Sequence, residues 1–209
     1  MSRPARSHRI PLGHGLSQGV GNGLCGVMVW ANVVDIFTGG ALKEDETALE
    51  ALLEHIGEAM EKRFAKAEGD MRLGYANAYT GLEFAHIVAA GEIAAGYCLK
   101  NFDFGLKLEL PFEKAQPKNF TNFWNTLRDG VLGPERVAVI GLKNYYHYTV
   151  VTELFDDNED PGNSLAMVRD SYDLIGIRRR DMGLASARGT MNVDAEETII
   201  ITRVNGSLS

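Results

Sequence analysis

The clearest hydrophobic pattern in the chain covers residues 43–66, where apolar side chains recur every three or four positions and glutamates fill many of the positions between them. A period near 3.6 residues predicts an amphipathic helix with one buried face. Similar patterns predict a helix over residues 82–99 and another over residues 119–132. An apolar run over residues 27–37 predicts a further helix that follows a glycine-rich lead-in.

The last third of the chain has a different pattern, in which β-branched and aromatic residues form short runs. These runs predict strands over residues 136–142, 145–154, 165–170 and 198–204. Helices followed by strands favour an α+β fold with an antiparallel sheet over an alternating βαβ fold. We expect a single domain over residues 1–209, with a helical lobe at about 20–132 and a sheet lobe at about 133–209.

Composition narrows the classes of protein. A chain of 209 residues with 45% hydrophobic content can bury a sizeable core, and its net charge of −7 argues against nucleic acid as a partner. Two arginine groups, near the N-terminus and at residues 178–180, are interpreted as a frayed tail and a solvated turn. No apolar run is long enough to span a membrane, and no secretory signal is visible. We expect a cytoplasmic protein, or one delivered out of the cell without a cleavable signal peptide.

The cysteine content points to chemistry at one position. Cys25 and Cys98 are the only cysteines, so a disulfide framework and a four-cysteine metal site are excluded. Cys98 ends an apolar helix and is predicted to lie in the core. Cys25 stands in Gly-Asn-Gly-Leu-Cys-Gly, immediately before the helix predicted at 27–37. A helix N-terminus stabilises a thiolate, which is the nucleophilic form of cysteine, and this setting predicts a cysteine nucleophile.

A cysteine nucleophile needs a base and a group that orients the base. His147 is the best candidate among the five histidines, because it lies in a strand-like run at residues 146–151. Asp170 ends a later apolar run and could accept a hydrogen bond from the second nitrogen of the imidazole. Asp173 is its main competitor for this role, and Asn163 is a weaker one.

Two motifs suggest cofactors but fail on closer reading. The acidic stretch at residues 156–160 begins like a calcium loop, but Pro161 replaces the required glycine and Met167 the required glutamate, so we interpret it as a solvated hairpin tip. Glycines 21, 23 and 26 match the spacing of the dinucleotide fingerprint, but no buried strand precedes them. We therefore expect neither a metal nor a cofactor.

Together these segments resemble the papain-like cysteine peptidases, a superfamily with bacterial members. In that family a glutamine precedes the nucleophile within a glycine-rich loop, as Gln18 precedes Cys25. The family's histidine opens a hydrophobic strand, as His147 does. Its third catalytic residue follows an aliphatic strand in an Asn-Ser-Trp motif, which the Asp-Ser-Tyr sequence beginning at Asp170 resembles. The chain departs from the family at Gly26, where a bulky aromatic residue is usual, and in a longer spacing between the glutamine and the cysteine.

The resemblance implies a papain-like fold and a catalytic triad of Cys25, His147 and Asp170, with Gln18 in the oxyanion hole. It implies a thiol-dependent hydrolase, first of all a cysteine peptidase, with a protein or peptide as its partner. Glutamine deamidation or acyl transfer by the same triad are alternatives, as is a non-catalytic binding module with this fold. By analogy with bacterial members, the chain would be an intracellular processing enzyme or a delivered effector.

Overall fold

The computed structural model describes residues 25–64, 82–143, 147–171, 174–184 and 190–206 of the chain. The helices of these segments are α1 (Cys25–Phe37), α2 (Ala41–Glu44), α3 (Glu46–Phe64), α4 (Phe84–Phe102) and α5 (Phe120–Gly130). Their strands are β1 (Phe104–Glu109), β2 (Arg136–Leu142), β3 (His147–Phe155), β4 (Leu165–Arg169), β5 (Gly176–Arg178), β6 (Met182–Gly183) and β7 (Met191–Asn205). None of the described helices is both long and apolar enough to cross a membrane.

Six of the strands form one continuous sheet in the order β1-β7-β2-β3-β4-β5, and every neighbouring pair in this order is antiparallel. The short β6 pairs with β7 in parallel. The predicted α+β class with an antiparallel sheet is therefore confirmed for the described part of the chain.

The sheet is covered by apolar residues on both faces. Along β2, Val137 and Val139 belong to the core formed with α1, α3 and α4, whereas Ala138 and Ile140 belong to a second core that includes α5. Successive side chains of a strand point to opposite faces, so a strand buried on both faces is apolar at every position. This explains why β2 was predicted from sequence with the bounds that the structure gives it.

Helix α1 is buried almost completely, with all of its thirteen residues except Val27 inaccessible. A helix that is apolar on all sides belongs in the interior. It packs against β3, α3 and α4, and Trp30 Nε1 donates a 2.8 Å hydrogen bond to the carbonyl of Ile87. The helix ends at Phe37, and the turn after it contains Gly39 and Gly40, whose positive φ angles of 72° and 100° suit glycine. This buried helix fixes the position of its own first residue, Cys25.

Some predicted elements differ from the observed ones. The helix predicted over 43–66 begins as the separate short α2, and α3 follows after Asp45, whose side chain accepts a hydrogen bond from Ala48 N. The helix predicted at 82–99 extends to Phe102, and the strand predicted at 198–204 is the second half of the fifteen-residue β7. Strand β1 was not predicted at all, and it joins the sheet from within the part of the chain expected to be helical.

Candidate active site

Cys25 is the first residue of α1, and 6% of its surface is exposed. Neither Cys25 nor Cys98 takes part in a disulfide. The backbone N–H groups at the start of an α-helix have no partners inside the helix, and with the helix dipole they stabilise negative charge nearby. The thiol belongs to the first described turn of this helix.

His147 and Asp170 form a short buried contact, with 2.6 Å between Nε2 of the imidazole and Oδ2 of the carboxylate. His147 is the first residue of β3, and Asp170 directly follows β4. The two strands are antiparallel neighbours, with Val150 opposite Arg169, so the start of one lies beside the end of the other. Sheet pairing thus brings together two side chains that are far apart in sequence.

The thiol of Cys25 is also hydrogen-bonded to the imidazole of His147. The described part of the chain therefore brings the three predicted side chains together in the order sulfur, imidazole, carboxylate.

The protonation of His147 follows from these contacts. Burial is the largest single influence and lowers its pKa, because a charged ring is poorly solvated in the interior. The hydrogen bonds with Asp170 and Cys25, and the negative charges of both partners, outweigh burial and raise the pKa from 6.5 to about 9. Near neutral pH the ring is therefore a cation beside the sulfur, which is the partner a thiolate requires.

Comparison of the chain with protein-family models, curated proteins and solved structures gave no match. Chemical proposals for this site therefore depend on its own residues and their geometry.

Three further residues were considered from sequence. Gln18, the predicted oxyanion donor, and Asp173, the competitor of Asp170, are outside the described residues. Asn163, the weaker competitor, ends a 3-10 turn between β3 and β4, whereas Asp170 is the residue in contact with His147.

Cys98 is fully buried in α4, as predicted. Burial raises its pKa to about 12, because a thiolate would be poorly solvated there. At neutral pH Cys98 is therefore a neutral core thiol, and it provides an internal reference for the reactivity of Cys25.

The glycine that departs from the family pattern is explained by the packing of α1. A Cβ atom at Gly26 would lie 2.5 Å from Ile87 Cδ1 and 3.0 Å from Leu82 Cδ1. Leu82 lies just before α4 and Ile87 lies in its first turn. Their side chains fill the space that a side chain at position 26 would need. The helix that carries the cysteine thus approaches α4 more closely than an aromatic residue would allow.

Two contacts near the site were missed by sequence reasoning. Tyr148 donates a 3.0 Å hydrogen bond to Glu197 Oε2, and burial followed by the charge of Glu197 raises the pKa of the phenol. Burial also raises the pKa of Glu197. The second contact is a buried ion pair between Asp35 of α1 and Arg169 of β4. Its signal in the sequence is that each residue is the only charged one in its apolar segment, residues 25–37 and 165–169 respectively.

The acidic loop between β3 and β4 is only partly the solvated tip that was expected. Asp156 accepts hydrogen bonds from Trp124 Nε1 and Arg128 Nη1 of α5, at 3.1 Å each, and these bonds lower the pKa of its carboxyl. The arginines at 178–180 are likewise not all solvated, because Arg179 lies 5.5 Å from the Trp124 ring centre and donates to Thr121. The described residues contain no group of three or more metal-ligating side chains.

Proposed function

We propose that this protein is a thiol-dependent hydrolase of the papain-like type that cleaves amide bonds of proteins or peptides. The observation that carries the proposal is His147, whose buried ring lies 2.6 Å from the Asp170 carboxylate and also interacts with the Cys25 thiol. The antiparallel sheet and the buried helix that begins at the cysteine are consistent with this fold type.

In the proposed reaction, the thiolate of Cys25 attacks the carbonyl carbon of the scissile amide and forms a tetrahedral adduct. His147, as the imidazolium, protonates the leaving nitrogen, and the carbon–nitrogen bond breaks to leave a thioester. The neutral ring then takes a proton from water, which attacks the thioester and releases the acid and the thiolate. Asp170 holds the ring in the required orientation through both steps.

The negative charge on the tetrahedral adduct needs hydrogen-bond donors. The backbone N–H of Cys25 at the start of α1 and the side-chain amide of Gln18 would supply them in this proposal. Losing one such donor typically lowers the rate about 100- to 1,000-fold. Gln18→Ala is therefore expected to reduce kcat strongly, while Gln18→Glu, which retains the size but not the donor, should reduce it similarly.

Selective alkylation tests the thiolate directly. Iodoacetamide near pH 6 is expected to label Cys25 stoichiometrically, because an unassisted thiol with a pKa of about 8.5 reacts slowly there. Cys98, fully buried, should react only after unfolding. The Cys98→Ala variant should keep the labelling and Cys25→Ala should lose it. Equal, slow labelling of both cysteines would contradict an active nucleophile and favour a binding module of the same fold.

Comparison of the wild-type protein with Cys25→Ala on a proteome-derived panel tests the reaction type. New peptide termini that depend on Cys25 would identify a peptidase. Conversion of glutamine to glutamate without chain cleavage would identify a deamidase, and a newly acylated amine would identify an acyltransferase. Each of the last two outcomes would keep the triad and overturn peptide hydrolysis.

A further inference from the structure

The buried ion pair between Asp35 and Arg169 joins the helix that carries Cys25 to the strand that leads into Asp170. Nη1 of the guanidinium lies 3.0 Å from Oδ2 of the carboxylate, and the Asp35 side chain is fully buried while that of Arg169 is 6% exposed. Asp35 belongs to α1, the helix that begins at Cys25. Arg169 is the last residue of β4, immediately before Asp170.

Arg169 is also fixed to the strand that carries the histidine. Its carbonyl oxygen accepts a 3.3 Å hydrogen bond from the Thr149 hydroxyl, and Thr149 lies two positions after His147 on β3. Residue 169 thus contacts α1 through its side chain and β3 through its backbone. The elements that carry all three proposed catalytic side chains meet at this one residue.

Asp35 has a second contact that holds its carboxylate in place. Its Oδ1 oxygen accepts a 2.9 Å hydrogen bond from the backbone N–H of Lys43 in α2. Around this carboxylate, α1 is otherwise packed through apolar residues such as Val34 and Ile36. Apolar contacts are non-directional and can be exchanged for others when a helix rotates or slides, whereas a buried charge that leaves its counter-charge finds no other partner in an apolar core.

A buried ion pair contributes little net stability compared with a well-packed apolar pair, because desolvation offsets most of the attraction. Its main effect is on geometry, since separating the two groups would leave a buried charge without its counter-charge. The apolar surface of α1 therefore holds the helix in the core, and the ion pair fixes its position against β4.

We propose that Asp35 and Arg169 are positioning residues for the thiol chemistry of the site, an inference that rests on the proposed function. The pair sets the position of α1 against the end of β4 and so aligns the Cys25 sulfur with the ring that Asp170 holds. Neither residue touches the substrate. The pair acts by setting the contact between the sulfur and the imidazole, and therefore the way in which the reactivity of Cys25 depends on pH.

The test replaces the ion pair with an apolar pair of similar volume, Asp35→Leu with Arg169→Met. We expect cooperative unfolding with a midpoint below that of the wild-type protein, because apolar packing offsets the loss of the ion pair but not the loss of the hydrogen bond from Lys43 N–H. We expect the alkylation rate of Cys25 near pH 6 to fall about 10- to 100-fold, and kcat to fall with KM nearly unchanged. Near pH 10, above the ordinary pKa of a thiol, the two rates should converge. An unchanged pH profile in the folded double variant would overturn the proposal.

A second pair of variants keeps the test decisive if the double variant does not fold. Thr149→Val removes the hydrogen bond to the carbonyl of Arg169 with little change of shape, and it should lower the alkylation rate near pH 6. Thr152→Val is the matched control, because Thr152 donates an equal 3.3 Å bond to the carbonyl of Met167 on the same two strands, farther from the site. Equal effects of the two threonine variants would also overturn the proposal.

The outcome for this pair can be told apart from the outcome for the function itself. If Cys25 of the wild-type protein is unreactive near pH 6, the proposed function fails. The pKa of His147, followed by NMR, then still reports on the pair. It should fall in the double variant and in Thr149→Val if the pair aligns the sulfur with the ring, and a value unchanged from the wild type would overturn the inference.

Discussion

At the scale of single residues, His147 connects the whole site, because its ring interacts with both Cys25 and Asp170. The charge of Asp170 and the contact with Cys25 keep the ring protonated despite burial. A ring with only one of these partners would be neutral more often, and it would stabilise a thiolate less. The chemistry of Cys25 therefore depends, through His147, on Asp170 as well.

Replacement of Asp170 by asparagine tests this dependence. Asparagine keeps a hydrogen-bond acceptor but removes the charge, and a charge-assisted hydrogen bond is about twice as strong as a neutral one. We expect the pKa of His147 to fall by about one unit, with a loss of about tenfold or more in Cys25 alkylation near pH 8. NMR titration of the ring measures the first effect directly.

The control for this substitution is Asp129→Asn, which removes a carboxylate whose side chain is 71% exposed and whose partner is Arg128. An exposed ion pair contributes about 0–1 kcal/mol, so this variant should titrate and react like the wild-type protein. A His147 pKa that is the same in both variants would mean that Asp170 does not determine the charge of the ring.

At the scale of elements, the position of α1 depends on its close approach to α4. A Cβ atom at Gly91 would overlap the six-membered ring of Trp30 and lie 2.8 Å from Leu108 Cδ2. The absence of a side chain at residue 91 lets the indole of α1 lie against the backbone of α4, where it also bonds to the carbonyl of Ile87. Gly91 thus allows α1, which carries Cys25, to pack closely against α4.

Gly91→Ala is therefore expected to destabilise the protein. Overpacking a rigid core contact typically costs about 1–3 kcal/mol, and the rigid indole ring cannot yield easily. The matched control is Gly96→Ala on the same helix, where a Cβ atom meets nothing within 4 Å. There alanine should stabilise the protein by about 1 kcal/mol through helix propensity. Urea unfolding measures both, and equal shifts would contradict the packing argument.

Elements also show which patterns are readable in sequence. Strand β2 was predicted with its observed bounds because burial on both faces makes it apolar throughout. Strand β1 was missed although Phe104, Leu106 and Leu108 alternate with other residues, which is the pattern of a strand. It directly follows α4, and its partner β7 lies at the other end of the chain, so nothing local distinguishes it from the end of the helix.

At the scale of the whole molecule, the protonation of His147 is linked to global stability. Its pKa of about 9 in the folded protein lies above the unfolded value of 6.5, so the folded state binds the proton more tightly. The extra stability is present in full below about pH 6.5 and is lost as the pH rises to about 9. The size of the effect is on the order of a few kcal/mol.

The comparison of wild type with His147→Gln isolates this effect. We expect the free energy of unfolding of the wild-type protein to fall more steeply between about pH 6.5 and pH 9 than that of the variant. Cys98, whose raised pKa also weakens stability at high pH, is present in both proteins and cancels in the difference. Parallel pH dependences in urea unfolding would show that the ring is not held as a cation.

The sequence by itself determined the class of fold and the identity of the three candidate side chains. The helices and most strands follow from local periodicity. Cys25, His147 and Asp170 stand out because one follows a glycine-rich segment before an apolar helix and the other two lie in or next to apolar strands. Such features depend on neighbours in the chain, so a single sequence contains them.

Only the tertiary structure decided how those side chains meet and what surrounds them. The 2.6 Å contact of His147 with Asp170 follows from the pairing of β3 with β4, and the Asp35–Arg169 pair follows from the packing of α1 on the end of β4. In sequence, Asp35 and Arg169 are isolated charges in apolar segments, which indicates burial but names no partner. Distances between residues far apart in the chain are set by packing and strand register, and no local pattern encodes them.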